Sequence, residues 1–227
     1  MIRFENVTKY YGSNRALSNI NLNINKGDFV FLVGPSGAGK STFIKLLLKE
    51  TDATEGRIFL GDMEVTGLPN RKIPKLRRNI GIVFQDFRLL PKKTVYENVA
   101  FAMDILHIPA KTIRRVVPQA LSLVGISSKA HKYPNELSAG EQQRVAIARS
   151  IINNPSVLIA DEPTGNLDPD TAWEIMRLLT QINLRGTTIV MVTHAKEIVD
   201  KMEKRVIAIE EGRIVRDDMR GAYKYHV

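Results

Sequence analysis

Short apolar runs alternate along this chain with longer stretches in which apolar residues recur at helical spacing. Five runs have the length of buried strands, at residues 29–33, 80–84, 157–160, 188–192 and 206–209. A run that is apolar at nearly every position is typical of a parallel strand covered on both faces. The pattern therefore predicts an α/β fold whose core sheet is mostly parallel.

The stretch before the first of these runs has a different period. Ile20, Leu22 and Ile24 alternate with asparagines. Alternation with a period of two indicates a strand with one buried and one wet face, as antiparallel sheets allow. We therefore expect an antiparallel β subdomain beside the parallel core.

Between residues 86 and 154 the pattern becomes helical. Thr94 and Glu97 have the spacing of a capping box, which predicts a helix that continues to Ile105. Apolar positions from 113 to 124 also repeat at helical spacing, and Pro118 interrupts them, so that helix either kinks or restarts there. We interpret residues 86–154 as a helical lobe inserted into a single domain that spans residues 1–227.

Composition excludes some classes of protein. The chain of 227 residues contains no cysteine, which rules out disulfides and thiolate zinc sites. No apolar run approaches the roughly 18 residues of a membrane span, and the N-terminus lacks the apolar core of a signal peptide. We therefore expect that the chain does not enter a membrane by itself. The net charge of +9 fits an anionic partner (nucleotide, nucleic acid or an acidic membrane face) and equally a solvated basic surface, so charge alone does not decide between them.

Residues 34–41 read Gly-Pro-Ser-Gly-Ala-Gly-Lys-Ser, directly after the run 29–33 and before a helical stretch. This is the pattern and the context of a P-loop, in which backbone amides and a helix N-terminus hold phosphates. Lys40 can bridge the β- and γ-phosphates, and the Ser41 hydroxyl can bind Mg²⁺. The predicted phosphate contacts are Gly34, Ser36, Gly37, Ala38, Gly39, Lys40, Ser41 and Thr42.

The run 157–160 ends in two carboxylates, Asp161 and Glu162. Ligands of open α/β sheets lie off the carboxyl ends of the strands, so these acids can face the P-loop. We expect Asp161 to hold Mg²⁺, through water, and Glu162 to polarise the attacking water.

Residues 137–143 read Leu-Ser-Ala-Gly-Glu-Gln-Gln, in which Ser138 and Glu141 form a second capping box. A helix that begins with serine and glycine is a second anion site. One chain would then have two phosphate-binding helix starts for one nucleotide. A shared site solves this, because the second anion site of one subunit can close over the ATP held by another. The sequence thus predicts a homodimer that forms on ATP binding.

The chain resembles the nucleotide-binding domain of ABC ATPases over essentially its whole length. The resemblance rests on the order of the P-loop, the stretch 137–143 and the two acids, together with Gln85, residues 166–168 and His194. The resemblance implies ATP and Mg²⁺ as cofactors. It also implies that Tyr11 stacks on adenine and that Gln85 links Mg²⁺ and water to the helical lobe.

The remaining roles that the resemblance implies concern the dimer and the γ-phosphate. Ser138, Gly140 and Glu141 are similar to the signature that contacts the partner's γ-phosphate, Asp168 to the inter-subunit loop, and His194 to the γ-phosphate sensor. Ala139 and Glu141 depart from the usual Leu-Ser-Gly-Gly-Gln signature. Ala139 adds a methyl group near a phosphate contact, and Glu141 keeps the capping box but brings negative charge towards an anion.

Within the family, residues 84–99, 134–137 and 165–168 and the tail 211–227 resemble the cell-division branch. This implies an integral membrane partner of the FtsX type, membrane contact through that partner, and a place at the cytoplasmic face of the plasma membrane at the division site. Phe87, Leu89 and Leu90 follow Gln85 and predict a groove for a partner helix, with packing in the lobe's own core as the alternative.

Three other assignments compete with this one. The lipoprotein-releasing and macrolide-export branches share the same features less closely. Asn25-Lys-Gly-Asp28 matches the guanine-reading pattern of GTPases, but it precedes the P-loop, so we interpret it as a turn entering the strand 29–33. Nucleic-acid-associated ABC ATPases usually carry a long coiled coil or two ATPase domains. This chain has one P-loop and no sustained heptads, so we expect no nucleic-acid partner.

Overall fold

Two β-sheets form the framework of the computed structural model, which describes residues 1–223. The strands are β1 (Ile2–Tyr11), β2 (Asn14–Ile24), β3 (Phe29–Val33), β4 (Glu55–Leu60), β5 (Met63–Glu64), β6 (Ile80–Val83), β7 (Val157–Asp161), β8 (Thr188–Val192), β9 (Arg205–Glu210) and β10 (Arg213–Asp218).

The larger sheet has the strand order β10-β9-β3-β8-β7-β6, and only β10 pairs antiparallel with its neighbour. All five predicted buried strands are confirmed, with ends that differ by one residue at most. Because β3, β6, β7 and β8 run parallel, their carboxyl ends lie along the same edge of the sheet. The P-loop, Gln85, the two acids and His194 follow these four ends, so the topology collects them.

Strand β3 shows why these runs are apolar throughout. Phe29, Phe31 and Val33 lie in the core shared with the helices α3 to α6 defined below, whereas Val30 and Leu32 belong to the core under the smaller sheet. Successive side chains of a strand point to opposite faces, so a strand between two cores needs an apolar residue at every position.

The smaller sheet is antiparallel, with the order β2-β1-β4-β5. In β2, Ile20, Leu22 and Ile24 are buried and the alternating asparagines are exposed, which confirms the predicted antiparallel strand. The sheet packs on the first helix through Phe4, whose ring stacks on that of Phe43 at 4.4 Å between centroids.

The helices of the described residues are α1 (Lys40–Leu47), α2 (Ile73–Arg77), α3 (Val95–Asp104), α4 (Ala110–Leu123), α5 (Ala139–Ile151), α6 (Pro169–Leu184) and α7 (Lys196–Met202), with short 3₁₀ turns at Asn70–Lys72, Ser127–Lys129 and Pro134–Glu136. Along the chain, helices α3, α4 and α5 come between β6 and β7. Both bonds of the predicted capping box at Thr94 and Glu97 are present. Helix α4 runs through Pro118 as one helix, without a restart.

The guanine-type pattern at residues 25–28 is a turn into β3, as predicted. The Asn25 amide donates to the Asp28 carboxylate at 2.8 Å, and Asp28 also pairs with Arg205 at 3.2 Å. Among residues 1–223, no helix combines the length and apolar character that a membrane crossing requires. Of the tail singled out in the sequence, residues 211–223 include β10, and residues 224–227 lie outside the described residues.

Candidate functional site

The P-loop approaches its neighbours so closely that two of its glycines admit no side chain. A Cβ on Gly34 would lie 2.1 Å from the carbonyl oxygen of Ile209, and one on Gly39 would lie 2.7 Å from that of Ala16. Gly39 also has a φ of 112°, in the region that favours glycine. Glycine is therefore required at these two positions by the path of the backbone, in addition to the need for phosphate to approach it closely.

Lys40 is buried at the first turn of α1, at 8% exposure. Its Nζ donates to the carbonyl oxygens of Gly34 and Pro35 at 2.7 and 2.8 Å, inside its own loop. Burial lowers the pKa of the Lys40 ammonium, and the nearby carboxylates of Glu162 and Asp161 oppose that shift. The ammonium thus lies between the loop and both predicted acids, where a phosphate can replace its carbonyl partners.

A cleft of about 1000 Å³ opens beside the P-loop. This volume is at the upper end of the range for small-molecule sites. Of the predicted ATP contacts, Tyr11, Gly37, Gly39, Lys40, Ser41 and Thr42 line it, whereas Gly34, Ser36 and Ala38 do not. It is also lined by residues of the tail, Glu211, Gly212, Arg213 and Val215, and by residues that the sequence patterns did not single out: Asn14, Arg15, Ala16 and Glu210.

Asp161 ends β7, and Glu162 follows it with a φ of 47°. Burial and the neighbouring Glu162 raise the pKa of Asp161, while Arg88 and Lys40 oppose the shift. Arg88 and Lys40 therefore offset only part of the free-energy cost of charging the buried Asp161 carboxylate. Mg²⁺ is held in nucleotide sites by one or two carboxylates together with phosphates and water, so Ser41 and Asp161 fit this ion.

His194 lies at the end of β8, opposite Glu162. Its Nε2 is 3.6 Å from Glu162 Oε1, and its Nδ1 is 3.4 Å from the hydroxyl of Tyr223. Tyr223 is buried, and its backbone amide donates to Asp200 on α7. Sequence reasoning missed Tyr223, because no local pattern connects the tail with the end of β8.

Gln85 follows β6 and contacts the loop after β7. Its side-chain amide donates to Asn166 Oδ1 at 3.4 Å, and the Asn166 amide donates to the Gln85 carbonyl at 3.0 Å. Asn166 stands two residues before Asp168, whose carboxylate caps α6 by accepting from the Thr171 amide at 3.0 Å. Gln85 is thus joined to the loop that leads to α6.

The second predicted anion site is the N-terminus of α5. The capping box is confirmed: Ser138 Oγ accepts from the Glu141 amide at 3.3 Å, and Glu141 Oε2 accepts from the Ser138 amide at 2.9 Å. Ser138 is exposed, and Gly140 packs so closely on α6 that a Cβ there would lie 2.4 Å from Thr171 Cγ2. None of the three signature residues lines the ATP cleft of its own chain.

A second groove of about 540 Å³ lies between β6, α3 and α5. Of the three predicted groove residues only Leu90 lines it. Leu89 packs against the core, and Phe87, at a φ of 57°, is not part of the lining. Apart from Leu90, the apolar lining comes from Leu48, Ile80, Ile82, Phe84, Phe101, Ala102, Ile105 and Pro155. The cations are Arg77, Arg78, Arg88 and Arg149.

Arg149 also supports the turn that follows Gln85. Its guanidinium donates to the carbonyl oxygens of Phe87 and Arg88 at 2.9 and 2.7 Å. Both of these residues have positive φ, a backbone conformation that costs free energy for residues other than glycine. The bonds from α5 therefore hold the groove edge in a conformation that the local sequence does not favour.

This arrangement, a P-loop and two acids at the carboxyl edge of a parallel sheet, defines a P-loop nucleotide hydrolase. The chain belongs to the ABC transporter family, whose model matches residues 17–165. It is similar to the cell division ATP-binding protein FtsE of Bacillus subtilis, with 55% identity over 224 residues that cover 98% of both chains. FtsE of Mycobacterium tuberculosis is 55% identical over 225 residues, again with 98% of both chains covered.

A solved structure gives the same picture of the fold. A dimeric post-hydrolysis state of the ATP-binding cassette MJ0796, bound to ADP and Pi, superimposes with a TM-score of 0.86 at 36% identity, and covers 98% of this chain and 100% of that one. These findings confirm the ABC ATPase fold. The chain is an ATP-binding ATPase of the ABC family and resembles FtsE over nearly its full length.

Proposed function

We propose that this chain is the ATPase subunit of a cell-division complex. In this proposal it binds ATP and Mg²⁺, dimerises, and drives a conformational change in an integral membrane protein of the FtsX type that controls cell-wall hydrolysis. It would act at the cytoplasmic face of the plasma membrane, at the division site, and contact the membrane through that partner. The carrying observation is the full-length similarity to FtsE of two organisms.

The ATP cleft supplies the first step. Lys40 exchanges its bonds to Gly34 and Pro35 for the β- and γ-phosphates, and the P-loop amides surround them. Tyr11, an exposed residue of the cleft lining, offers its ring to adenine. Ser41, Asp161 (through water) and Gln85 would hold Mg²⁺, which supplies neutralisation of the phosphate charge.

Glu162 and His194 serve the hydrolytic step. The Glu162 carboxylate lies close enough to Lys40 to affect its pKa, so it is near the γ-phosphate position and can accept a proton from the attacking water. His194, with Nε2 turned towards Glu162, can donate from the same nitrogen to the γ-phosphate. Gln85 directly precedes the helical lobe at residues 86–154 and contacts Asn166 in the loop after β7, so it would couple changes in this site to that lobe.

The signature completes the site from a second copy of the chain. Ser138 is exposed and capped at a helix N-terminus, yet it does not line the cleft of its own chain. In a head-to-tail homodimer, Ser138, Gly140 and Glu141 of each copy face the γ-phosphate of the other, with Asp168 beside them. MJ0796, which has the same fold, is dimeric in a post-hydrolysis state bound to ADP and Pi, and this supports dimerisation of the chain.

The groove between β6 and α5 is the proposed docking site of the membrane partner. Its apolar side chains fit one face of a helix, and its four arginines face a single lining acid, Glu50. A helix that presents apolar residues together with a carboxylate is complementary to this surface. We therefore place Leu90 at the contact, whereas Phe87 and Leu89 would act only through the shape of the turn.

Sedimentation of Glu162→Gln tests the shared site. This variant should bind ATP without consuming it, and therefore sediment as a dimer with ATP and as a monomer without it. Adding Ser138→Arg should block the dimer and leave ATP binding intact, since the arginine stands at the interface and outside the cleft. Ser122→Arg, on the exposed face of α4, is the matched control and should dimerise. Dimerisation of the Ser138→Arg variant would refute the shared site.

Binding to a purified FtsX-type protein in detergent tests the docking site. Leu90→Glu should weaken the complex and spare ATP affinity, because Leu90 lies outside the ATP cleft. Leu184→Glu is the control, since Leu184 is 80% exposed and lies at the end of α6.

Cells with Glu162→Gln should fail in septation. Normal septation with defective lipoprotein release or drug efflux would instead assign the chain to the exporter branch of the family.

A further inference from the structure

Glu141 stands where the usual signature has glutamine, and its carboxylate is shared between two partners. Oε2 accepts from the Ser138 amide at 2.9 Å, and Oε1 pairs with Lys129 Nζ at 2.5 Å. Lys129 ends the 3₁₀ turn Ser127–Lys129, so the ion pair joins this turn to the first turn of α5. The two side chains are 39% and 25% exposed, so the ion pair is partly shielded from water.

A lone carboxylate at this position would oppose the function of the helix start. The N-terminus of a helix attracts anions through its free amides and its dipole. A negative charge on Glu141 reduces that attraction, and it would repel a phosphate approaching Ser138. Lys129 removes the conflict in two ways: it neutralises the pair, and it holds Oε1 on the side of the 3₁₀ turn while Oε2 remains on the cap.

We propose that Lys129 is a positioning residue of the shared site, which acts through Glu141 to let an acidic signature close on the partner's ATP. The inference rests on the proposed ATP-dependent dimer. It predicts that the charge of Glu141, and not the loss of its ion pair, is the damaging feature when Lys129 is removed. Lys129 also holds the pKa of Glu141 below its usual value. A glutamate is charged near neutral pH even without such a shift, so Glu141 keeps its charge when Lys129 is removed.

The experiment measures ATP-dependent dimerisation in the Glu162→Gln background, by analytical ultracentrifugation. Lys129→Met should weaken the dimer by about tenfold or more, because an uncompensated unit charge near a phosphate costs this much at the effective dielectric of a protein surface. ATP affinity of the monomer should not change, since Lys129 and Glu141 do not line the cleft.

Glu141→Gln supplies the rescue. A glutamine can still accept from the Ser138 amide, so Glu141→Gln alone should dimerise at least as well as the parent. Combined with Lys129→Met it should restore dimerisation. If the ion pair had only a structural role, the double variant should fail to dimerise, because it lacks the pair as well. Lys129→Arg keeps the charge and should behave as the parent.

The chain contains a closely matched control in the same segment. Glu136 accepts from the Tyr133 amide at 2.7 Å with one oxygen and pairs with Lys132 at 2.8 Å with the other. Lys132→Met therefore removes the same charge from the same kind of capped pair, but the carboxylate left behind, Glu136, precedes the signature and is not one of its three contact residues. It should leave dimerisation within about twofold. Added salt should reduce the difference in dimerisation between Lys129→Met and the parent, because ions screen charge repulsion at exposed sites.

The outcomes separate this inference from the proposed function. If the parent fails to dimerise with ATP, the shared site is wrong and the inference falls with it. If the parent dimerises and Lys129→Met dimerises equally well, the role of Lys129 is refuted and the shared site stands. Failure of Glu141→Gln to rescue Lys129→Met, with both variants folded by circular dichroism, also refutes it.

Discussion

Nε2 of His194 lies 3.6 Å from Oε1 of Glu162, although the two residues follow different strands. Strands β7 and β8 are parallel neighbours, with Asp161 opposite Val192 in register. The residues that follow each strand are thus brought to one place at the sheet edge. Glu162 also influences the pKa of Lys40, so these side chains of distant sequence meet where we propose that the γ-phosphate binds.

Glu162→Gln should retain ATP and lose about 10²–10⁴ in hydrolysis, the usual contribution of a general base. The amide keeps the size of the side chain but cannot take a proton from water. Phosphate release measures the rate, and calorimetric titration measures ATP affinity. A variant that hydrolyses ATP at the parent rate would show that another group activates the water.

Tyr11→Ala should weaken ATP binding by about 1–3 kcal/mol, the usual value of stacking between an aromatic side chain and a base. Tyr10→Ala is the matched control, because the two rings are similarly exposed, at 38% and 44%, but only Tyr11 lines the cleft. Titration with ATP would distinguish them. Equal losses in both variants would remove adenine recognition from Tyr11.

Tyr223→Phe should lower the turnover rate by about fivefold, the value of a hydrogen bond worth roughly 1 kcal/mol. The ring stays in its buried place, but His194 Nδ1 loses the hydroxyl that lies 3.4 Å away. If that hydroxyl donates to Nδ1, the imidazole proton stays on Nε2, which faces Glu162. ¹⁵N NMR of His194 should therefore show a changed tautomer ratio, whereas Tyr133→Phe, in the exposed 3₁₀ region, should change neither quantity.

Gly140→Ala should lower the free energy of unfolding by about 1–3 kcal/mol, the usual cost of overpacking. The added methyl would lie 2.4 Å from Thr171 Cγ2, and a β-branched side chain cannot swing away freely. Thr171→Ser removes that methyl and keeps the hydroxyl, so the double variant should recover most of the loss in urea unfolding. No loss in the single variant would mean that α5 and α6 separate easily.

The sequence by itself determined the local features of this protein. Strand β3, the P-loop and the capping boxes at Thr94 and Ser138 each depend on residues within a few positions of one another. A buried parallel strand needs uninterrupted apolar residues, and a capping box needs two side chains three residues apart, so these patterns can be read along the chain. The ABC ATPase assignment followed from several such patterns in one order.

Only the tertiary structure decided the contacts between elements that are distant in the chain. In the structure, Leu89 packs against the core instead of lining the predicted groove, and Phe101 and the arginines form part of the groove wall. It also joined Tyr223 to His194 and Lys129 to Glu141. No spacing in the sequence predicts such pairs, because their distance is set by how whole helices and strands pack, which depends on both cores together.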